Sequence, residues 1–124
     1  YATMFKSDNI EMAEAFTQAQ QKGVKVHIIL DGIQTEKKYS KFTKVLIEGL
    51  PKENLIICRP KGCLGPRSNH NKFYLFSDTS LGRNITIQSS ANLSKGHHYR
   101  FNDMTIIYSD QKLYDSYLKY SVDM

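Results

Sequence analysis

The chain has 124 residues, of which 40% are hydrophobic, and it contains eight Tyr and six Phe. This length and composition are typical of one folded domain with a hydrophobic core, and they exclude a disordered chain. Lys and Arg outnumber Asp and Glu by 17 to 12, a net charge of +5 that favours anionic partners such as nucleic acid, phosphorylated ligands or acidic lipid surfaces. No apolar run is long enough to span a bilayer.

The first part of the chain predicts a strand, a helix and a second strand. Residues 1–6 form the first strand, and Asp8 is the expected N-cap of the helix, in a capping box with Glu11. Gly23 ends the helix, and residues 24–30 form a strand that becomes almost continuously apolar, as in a buried parallel sheet. A strand–helix–strand unit of this kind predicts a parallel pair.

The middle of the chain predicts a second helix and a short buried strand. Asp31 lies at the carboxyl end of the preceding strand, where it serves either a ligand or a turn. Thr35 is the expected cap of the helix, which ends by Pro51. Residues 54–58 form the strand, and residues 60–69 form a loop rich in Gly, Pro and cations.

The last part of the chain predicts a hairpin, a final strand and a final helix. Residues 69–77 and 85–90 read as the two hairpin strands, with a polar turn between them. Residues 102–108 form the next strand, and Asp110 caps the helix after it. The whole chain is therefore expected to form one α/β domain spanning 1–124. Because it starts at Tyr1, in the middle of a strand pattern, we expect a fragment of a longer protein.

The two cysteines, Cys58 and Cys63, lie close together in the sequence. Pro60 and Gly62 between them favour a turn, which would bring the thiols within disulfide reach. A disulfide indicates an oxidising compartment, and hence a secreted or periplasmic protein. Free thiols in a reducing compartment are the alternative, whereas zinc would need two further ligands.

Five polar residues are expected to meet on one surface of the sheet. Alternation along a strand places His70 and Lys72 on the same face, and Ser90 and Asn92 share a face in the same way. If their strands are neighbours, the four side chains form one group, and Asp103 joins it from the start of the next strand.

This group of residues suits the chemistry of a phosphodiester. Lys72, taken as an exposed cation, and the Asn92 amide can hold the non-bridging oxygens whose charge must be stabilised in the transition state. His70 can attack phosphorus and form a phosphohistidine, while Asp103 orients its imidazole. This chemistry needs no metal and no cofactor, and the sequence shows no carboxylate cluster resembling a metal site.

The same residues resemble the phospholipase D superfamily, whose signature is H-x-K-x4-D followed by G-S-x-N. His70-Asn71-Lys72 and Ser90-Ala91-Asn92 carry the resemblance, Asp103 lies where members have an acidic residue, and the pattern around Cys58 and Cys63 is similar to a secreted bacterial branch. The resemblance implies a mixed β-sheet flanked by helices on both faces. It also implies a catalytic set of His70, Lys72, Ser90, Asn92 and Asp103.

The sequence departs from the superfamily signature in two places. Ser77 occupies the position of the motif Asp, with Asp78 one residue late, and Ser89 replaces the Gly of G-S-x-N. The resemblance also implies an active site built from two such motifs, one histidine attacking and the other protonating the leaving group. This chain has one motif, so the second must come from a homodimer partner or from a missing second half.

The sequence therefore predicts a metal-independent phosphodiester hydrolase acting on nucleic acid or phospholipid. Lys61, Arg67, Lys95 and His98 lie near the motif in sequence and are the expected substrate-binding residues. The alternative is a catalytically impaired module of the same fold that binds phosphate-containing ligands. The Ser77 replacement and the single motif favour that alternative.

Overall fold

A computed structural model of the chain describes residues 1–32, 40–58, 63–65, 68–94, 96 and 99–124. The strands of this part are β1 (Ala2–Met4), β2 (Ile28–Asp31), β3 (Leu55–Cys58), β4 (Phe73–Thr79), β5 (Gly82–Ser89) and β6 (Met104–Ile107). The helices are α1 (Ile10–Gln21), α2 (Lys41–Gly49) and α3 (Gln111–Val122), with a short 3₁₀ turn at Lys52–Asn54.

The strands form one mixed sheet in the order β3-β2-β1-β4-β5-β6. β1 pairs in parallel with β2, and β2 with β3, so the predicted strand–helix–strand unit is confirmed. β4 runs antiparallel to both β1 and β5, and β5 is antiparallel to β6. The carboxyl ends of β1 and β2 consequently lie beside the start of β4, where the His70 motif enters the sheet.

Helices cover both faces of the sheet, as expected for this fold class. One face packs against α1 and α2 through buried residues that include Met4, Ala13 and Phe42. The other face packs against α3, where Phe73, Leu75 and Tyr114 form a second core cluster. Alternation along β4 therefore sends successive side chains into two separate cores.

The N-caps of α1 and α2 differ from the predicted residues. α1 is capped by Asn9, whose side chain accepts from the Met12 amide, and not by Asp8. The reason is tertiary, because the Asp8 amide donates to the Leu93 carbonyl at 3.2 Å and is held outside the helix. Gly23, with a φ of +88°, follows the end of α1 as predicted.

The second helix also begins later than predicted. Ser40 caps α2, and its hydroxyl accepts from the Thr43 amide at 3.1 Å. Thr35, the expected cap, lies outside the described residues. For α3 the predicted cap is confirmed, since the Asp110 side chain accepts from the Leu113 amide at 2.9 Å.

Cys58 and Cys63 form the predicted disulfide, with their Cα atoms 4.7 Å apart. Cys58 is the last residue of β3 and is buried, so the bridge fixes the chain where it leaves the sheet. Within the described ranges, no helix has the length and apolar character needed to cross a membrane.

Candidate active site

The segment carrying His70 is a turn that precedes β4, not part of the strand as predicted. β4 begins at Phe73, and Asn69 forms the turn by accepting from the Asn71 amide through Oδ1 at 3.2 Å. The buried Asn69 is itself held from two neighbouring strands. Its amide donates to Asp31 Oδ2 at 2.5 Å, and its Nδ2 donates to Thr3 Oγ1 at 3.0 Å.

Asp31, which the sequence left open between a ligand and a turn residue, anchors this segment. It is the last residue of β2 and only 1% exposed. Its carboxylate binds the backbone immediately before His70. The side chain therefore fixes the position of the candidate nucleophile.

Lys72 folds back onto His70. Its Nζ lies 3.0 Å from His70 Nδ1 and 3.4 Å from Nε2, and it donates to the His70 carbonyl at 2.7 Å. An ammonium cannot accept a hydrogen bond, so the ring nitrogen that it contacts must carry a free lone pair. That is also the form of imidazole that can attack phosphorus.

The environment of this pair was only partly predicted. Lys72 is 5% exposed, which corrects the expectation of an exposed cation, and burial lowers the pKa of its ammonium. The Phe5 ring lies 4.7 Å from the His70 ring and 5.8 Å from Lys72 Nζ, and it supplies part of this burial. His70 itself is exposed, so its imidazole is accessible to a substrate.

The end of β5 joins this pair through the backbone. The Ser89 amide donates to the Lys72 carbonyl at 3.0 Å, and Ser89 Oγ donates to the Asp103 carbonyl at 3.1 Å while accepting from the Ala91 amide. The serine in the Gly position of the signature is therefore a buried structural link. It connects Lys72, the residue before β4, to Asp103, the residue before β6.

Ser90 and Asp103 are adjacent, as expected. The Ser90 amide donates to the Asp103 carbonyl at 3.1 Å, and the Asp103 amide donates to Ser90 Oγ at 3.0 Å. These contacts involve the Asp103 backbone, so the role of its carboxylate toward His70 stays a prediction. Asn92 follows in a half-buried turn, where its carbonyl accepts from the Ser94 amide at 2.8 Å.

A cavity of about 500 Å³ opens beside the motif. His70, Lys72 and Ser90, three of the five predicted catalytic residues, line it, whereas Asn92 and Asp103 lie outside its lining. A second wall of the cavity comes from β5 and α3. It consists of Gln88, Ser116, Tyr117 and Tyr120.

Sequence reasoning assigned no site role to this second wall. Tyr117 packs on the core side of α3, with its ring 4.8 Å from that of Phe73. Tyr120 is three residues further along the same helix and accepts a hydrogen bond from Asn71 Nδ2 at 3.0 Å. The spacing of the two tyrosines was visible in the sequence, but it did not indicate which strand they would meet.

Ser77 and Asp78, at and after the motif Asp position, lie on β4 away from this cavity. Ser77 lies within β4, the strand that packs against α3 through Phe73 and Leu75. Asp78 forms an exposed ion pair with Arg83, at 3.7 Å.

The predicted substrate-binding residues Lys61, Arg67, Lys95 and His98 lie outside the described residues. In the part of the chain that the structure describes, no group of three or more His, Cys, Asp or Glu side chains is arranged to hold a metal ion.

Comparisons with known proteins agree with the fold. The family described as the PLD-like domain of cardiolipin synthase matches residues 1–122. No curated protein matches the chain. Among solved structures, NucT from Helicobacter pylori has a TM-score of 0.70 and 20% identity, covering 99% of this chain and 76% of NucT. Polyphosphate kinase from Porphyromonas gingivalis has a TM-score of 0.61 and 17% identity. That match covers 98% of this chain and 20% of the kinase.

Because the family match spans nearly the whole chain, the protein belongs to the PLD-like domain family of the phospholipase D superfamily.

Proposed function

We propose that the chain is a metal-independent phosphodiester hydrolase in which His70 is the nucleophile. The observation that carries this proposal is the contact between the buried Lys72 ammonium and the imidazole of exposed His70, at a cavity open to a substrate. Membership of the PLD-like domain family supports the same chemistry.

In the proposed reaction, a His70 ring nitrogen forms a bond to phosphorus while the bond from phosphorus to the leaving oxygen breaks. A second imidazole donates a proton to that oxygen and releases an alcohol. Water then loses a proton to the second imidazole and attacks phosphorus, which frees His70 and the phosphomonoester. Lys72, with Ser90 and Asn92, holds the non-bridging oxygens, and Asp103 stabilises the charged imidazole.

The second imidazole must come from outside this motif. We propose that it is supplied either by a second copy of the chain or by a further part of a longer protein that carries another such motif. The family match covers one motif, and the chain covers only a fifth of the polyphosphate kinase with the same fold.

The proposed substrate is a nucleic acid or a phospholipid, because both present a phosphodiester to the cavity. The net charge of +5 favours a polyanion. Lys61, Arg67, Lys95 and His98 are proposed to bind the substrate. The Cys58–Cys63 disulfide supports a secreted or periplasmic location, where such a bond persists.

A fluorogenic phosphodiester, assayed in the presence of EDTA, tests the proposal. We expect turnover that survives chelation and is lost in His70→Ala, because His70 is the proposed site of the covalent intermediate. His27→Gln is the matched control, since His27 stacks on Tyr1, at 4.4 Å, near the amino end of β2. Binding of the diester without turnover would favour the phosphate-binding module that Ser77 suggests.

A further inference from the structure

The second wall of the cavity, formed by β5 and α3, has a composition that phosphate binding does not require. Tyr117 and Tyr120 present aromatic rings from α3, and Gln88 presents an amide from β5. Tyr120 is 40% exposed and Gln88 is also exposed, so both side chains are accessible to a ligand. His70 and this wall line the same cavity, so a substituent of a phosphodiester held at His70 can lie against the wall.

The aromatic rings are fixed before any ligand binds. Asn71 Nδ2 donates to Tyr120 Oη at 3.0 Å and also to Asn69 Oδ1 at 2.9 Å, which ties Tyr120 to the turn that carries His70. The Phe73 ring lies 4.8 Å from that of Tyr117 and 6.1 Å from that of Tyr120. A planar group stacking here loses little free energy to ordering the protein.

The polar groups of the wall select between the possible substituents. Gln88 and Ser116 place an amide and a hydroxyl on the surface of the cavity. An acyl chain would cover these groups without hydrogen-bonding to them, which is unfavourable. A nucleobase offers a flat face to the tyrosines and donors and acceptors at its edge.

We propose that Tyr120 and Gln88 form a subsite for one unpaired nucleobase, which makes the substrate of this site a single-stranded nucleic acid. A paired base is stacked within a duplex and cannot enter a cavity of about 500 Å³ beside the nucleophile. The inference deepens the proposed function and rests on it, because the base is positioned for cleavage of its own phosphodiester.

The test compares a single-stranded oligonucleotide with an abasic strand of the same length and charge. For each strand, kcat/KM and Kd (by fluorescence anisotropy) are measured with wild type, Tyr120→Ala and Tyr120→Phe. Tyr108→Ala is the control, since Tyr108 is a 50% exposed tyrosine that follows β6 and does not line the cavity. Thermal melting of each variant checks that it is folded.

We expect wild type to prefer the base-containing strand, and Tyr120→Ala to reduce this preference about tenfold, since stacking on an aromatic ring contributes roughly 1–3 kcal/mol per base. Tyr120→Phe keeps the ring and should keep most of the preference, as should Tyr108→Ala. Equal kcat/KM for the two strands in wild type, or an unchanged preference in Tyr120→Ala, overturns the subsite. The subsite is also overturned if Tyr120→Ala reduces hydrolysis of phosphatidylcholine vesicles more than it reduces cleavage of the base-containing strand. If neither strand is cleaved, the proposed function fails, and the Kd ratio of the two strands still decides whether the subsite binds a base.

Discussion

Lys72 combines two properties that rarely occur together, a positive charge and nearly complete burial. Its ammonium is compensated by the His70 carbonyl and ring, and these contacts lie where a substrate phosphate would bind. Burial of a charge costs free energy that its hydrogen bonds only partly recover. This cost is consistent with the proposed role of Lys72 in holding a substrate phosphate.

We predict that Lys72→Met remains folded, with a free energy of unfolding equal to or above that of wild type, because the apolar chain fills the site without a desolvated charge. Turnover should fall about 10²–10³-fold, as when one preorganised donor to a transition-state oxyanion is removed. Urea unfolding and steady-state kinetics measure the two effects. A large loss of stability together with retained turnover would show that the lysine is structural.

Tyr74 has a buried hydroxyl and lies in the core between the sheet and helices α1 and α2. Among the described residues, no group forms a hydrogen bond with Tyr74 Oη, and burial raises the pKa of this phenol to about 12. The neutral form is favoured in the folded protein. Stability arising from this shift is present below the ordinary pKa of 10.0 and is lost as the pH rises from there toward 12.

We predict that Tyr74→Phe stabilises the protein by about 1 kcal/mol at neutral pH, because it removes a buried hydroxyl that lacks a partner. The decrease in the free energy of unfolding between pH 10 and 12 should also be smaller in the variant. Urea titrations at several pH values measure both. A destabilised variant at neutral pH would mean that the hydroxyl does have a partner in the folded protein.

At the scale of secondary-structure elements, the end of β2 determines where the motif lies. Asp31 binds the Asn69 amide across 38 residues of sequence, and Asn69 Nδ2 binds Thr3 across 66. These contacts bring two parallel strands and the start of β4 to one point. The arrangement makes Asp31 a positioning residue for His70.

Asp31→Asn should lower kcat more than it changes the Kd for inorganic phosphate, because the turn carrying His70 loosens while Lys72 remains. It should also destabilise the fold by about 1–3 kcal/mol, as expected when a buried amide loses a charged acceptor. Asp78→Asn on β4 is the control, since that carboxylate is exposed and paired with Arg83. Equal proportional losses in kcat and in the folded fraction would reduce Asp31 to a purely structural role.

Hydrophobic patterning was sufficient to predict most elements, because it reflects interactions that are local or repeat along an element. The cap at Asp110 and the order of strands and helices were predicted for this reason. The start of β4 was placed too early because side-chain contacts with β1 and β2 hold residues 69–71 in a turn. The alternation of side chains along a strand does not reveal such long-range contacts.

At the scale of the whole molecule, the motif side of the site was predictable and the second wall of the cavity was not. His70, Lys72 and Ser90 belong to a spaced signature that can be identified in sequence. Tyr120 meets Asn71 across 49 residues, through the packing of α3 on the sheet, and no local pattern indicates that contact. The residues that we expect to select the substrate are therefore those that only the fold brings to the site.

Whether the proposed active site is complete depends on the assembly of whole molecules. Because the chain has one motif, we predict that the 124-residue protein is active only as a dimer. One His70 would serve as the nucleophile and the His70 of the other copy as the general acid. Specific activity should fall on dilution in parallel with the dimer fraction measured by analytical ultracentrifugation. Adding a large excess of His70→Ala should suppress wild-type turnover, because mixed dimers lack one of the two imidazoles. An excess of Tyr108→Ala should leave that turnover intact, since Tyr108 lies outside the cavity lining. Full specific activity in a strict monomer would contradict the two-histidine mechanism.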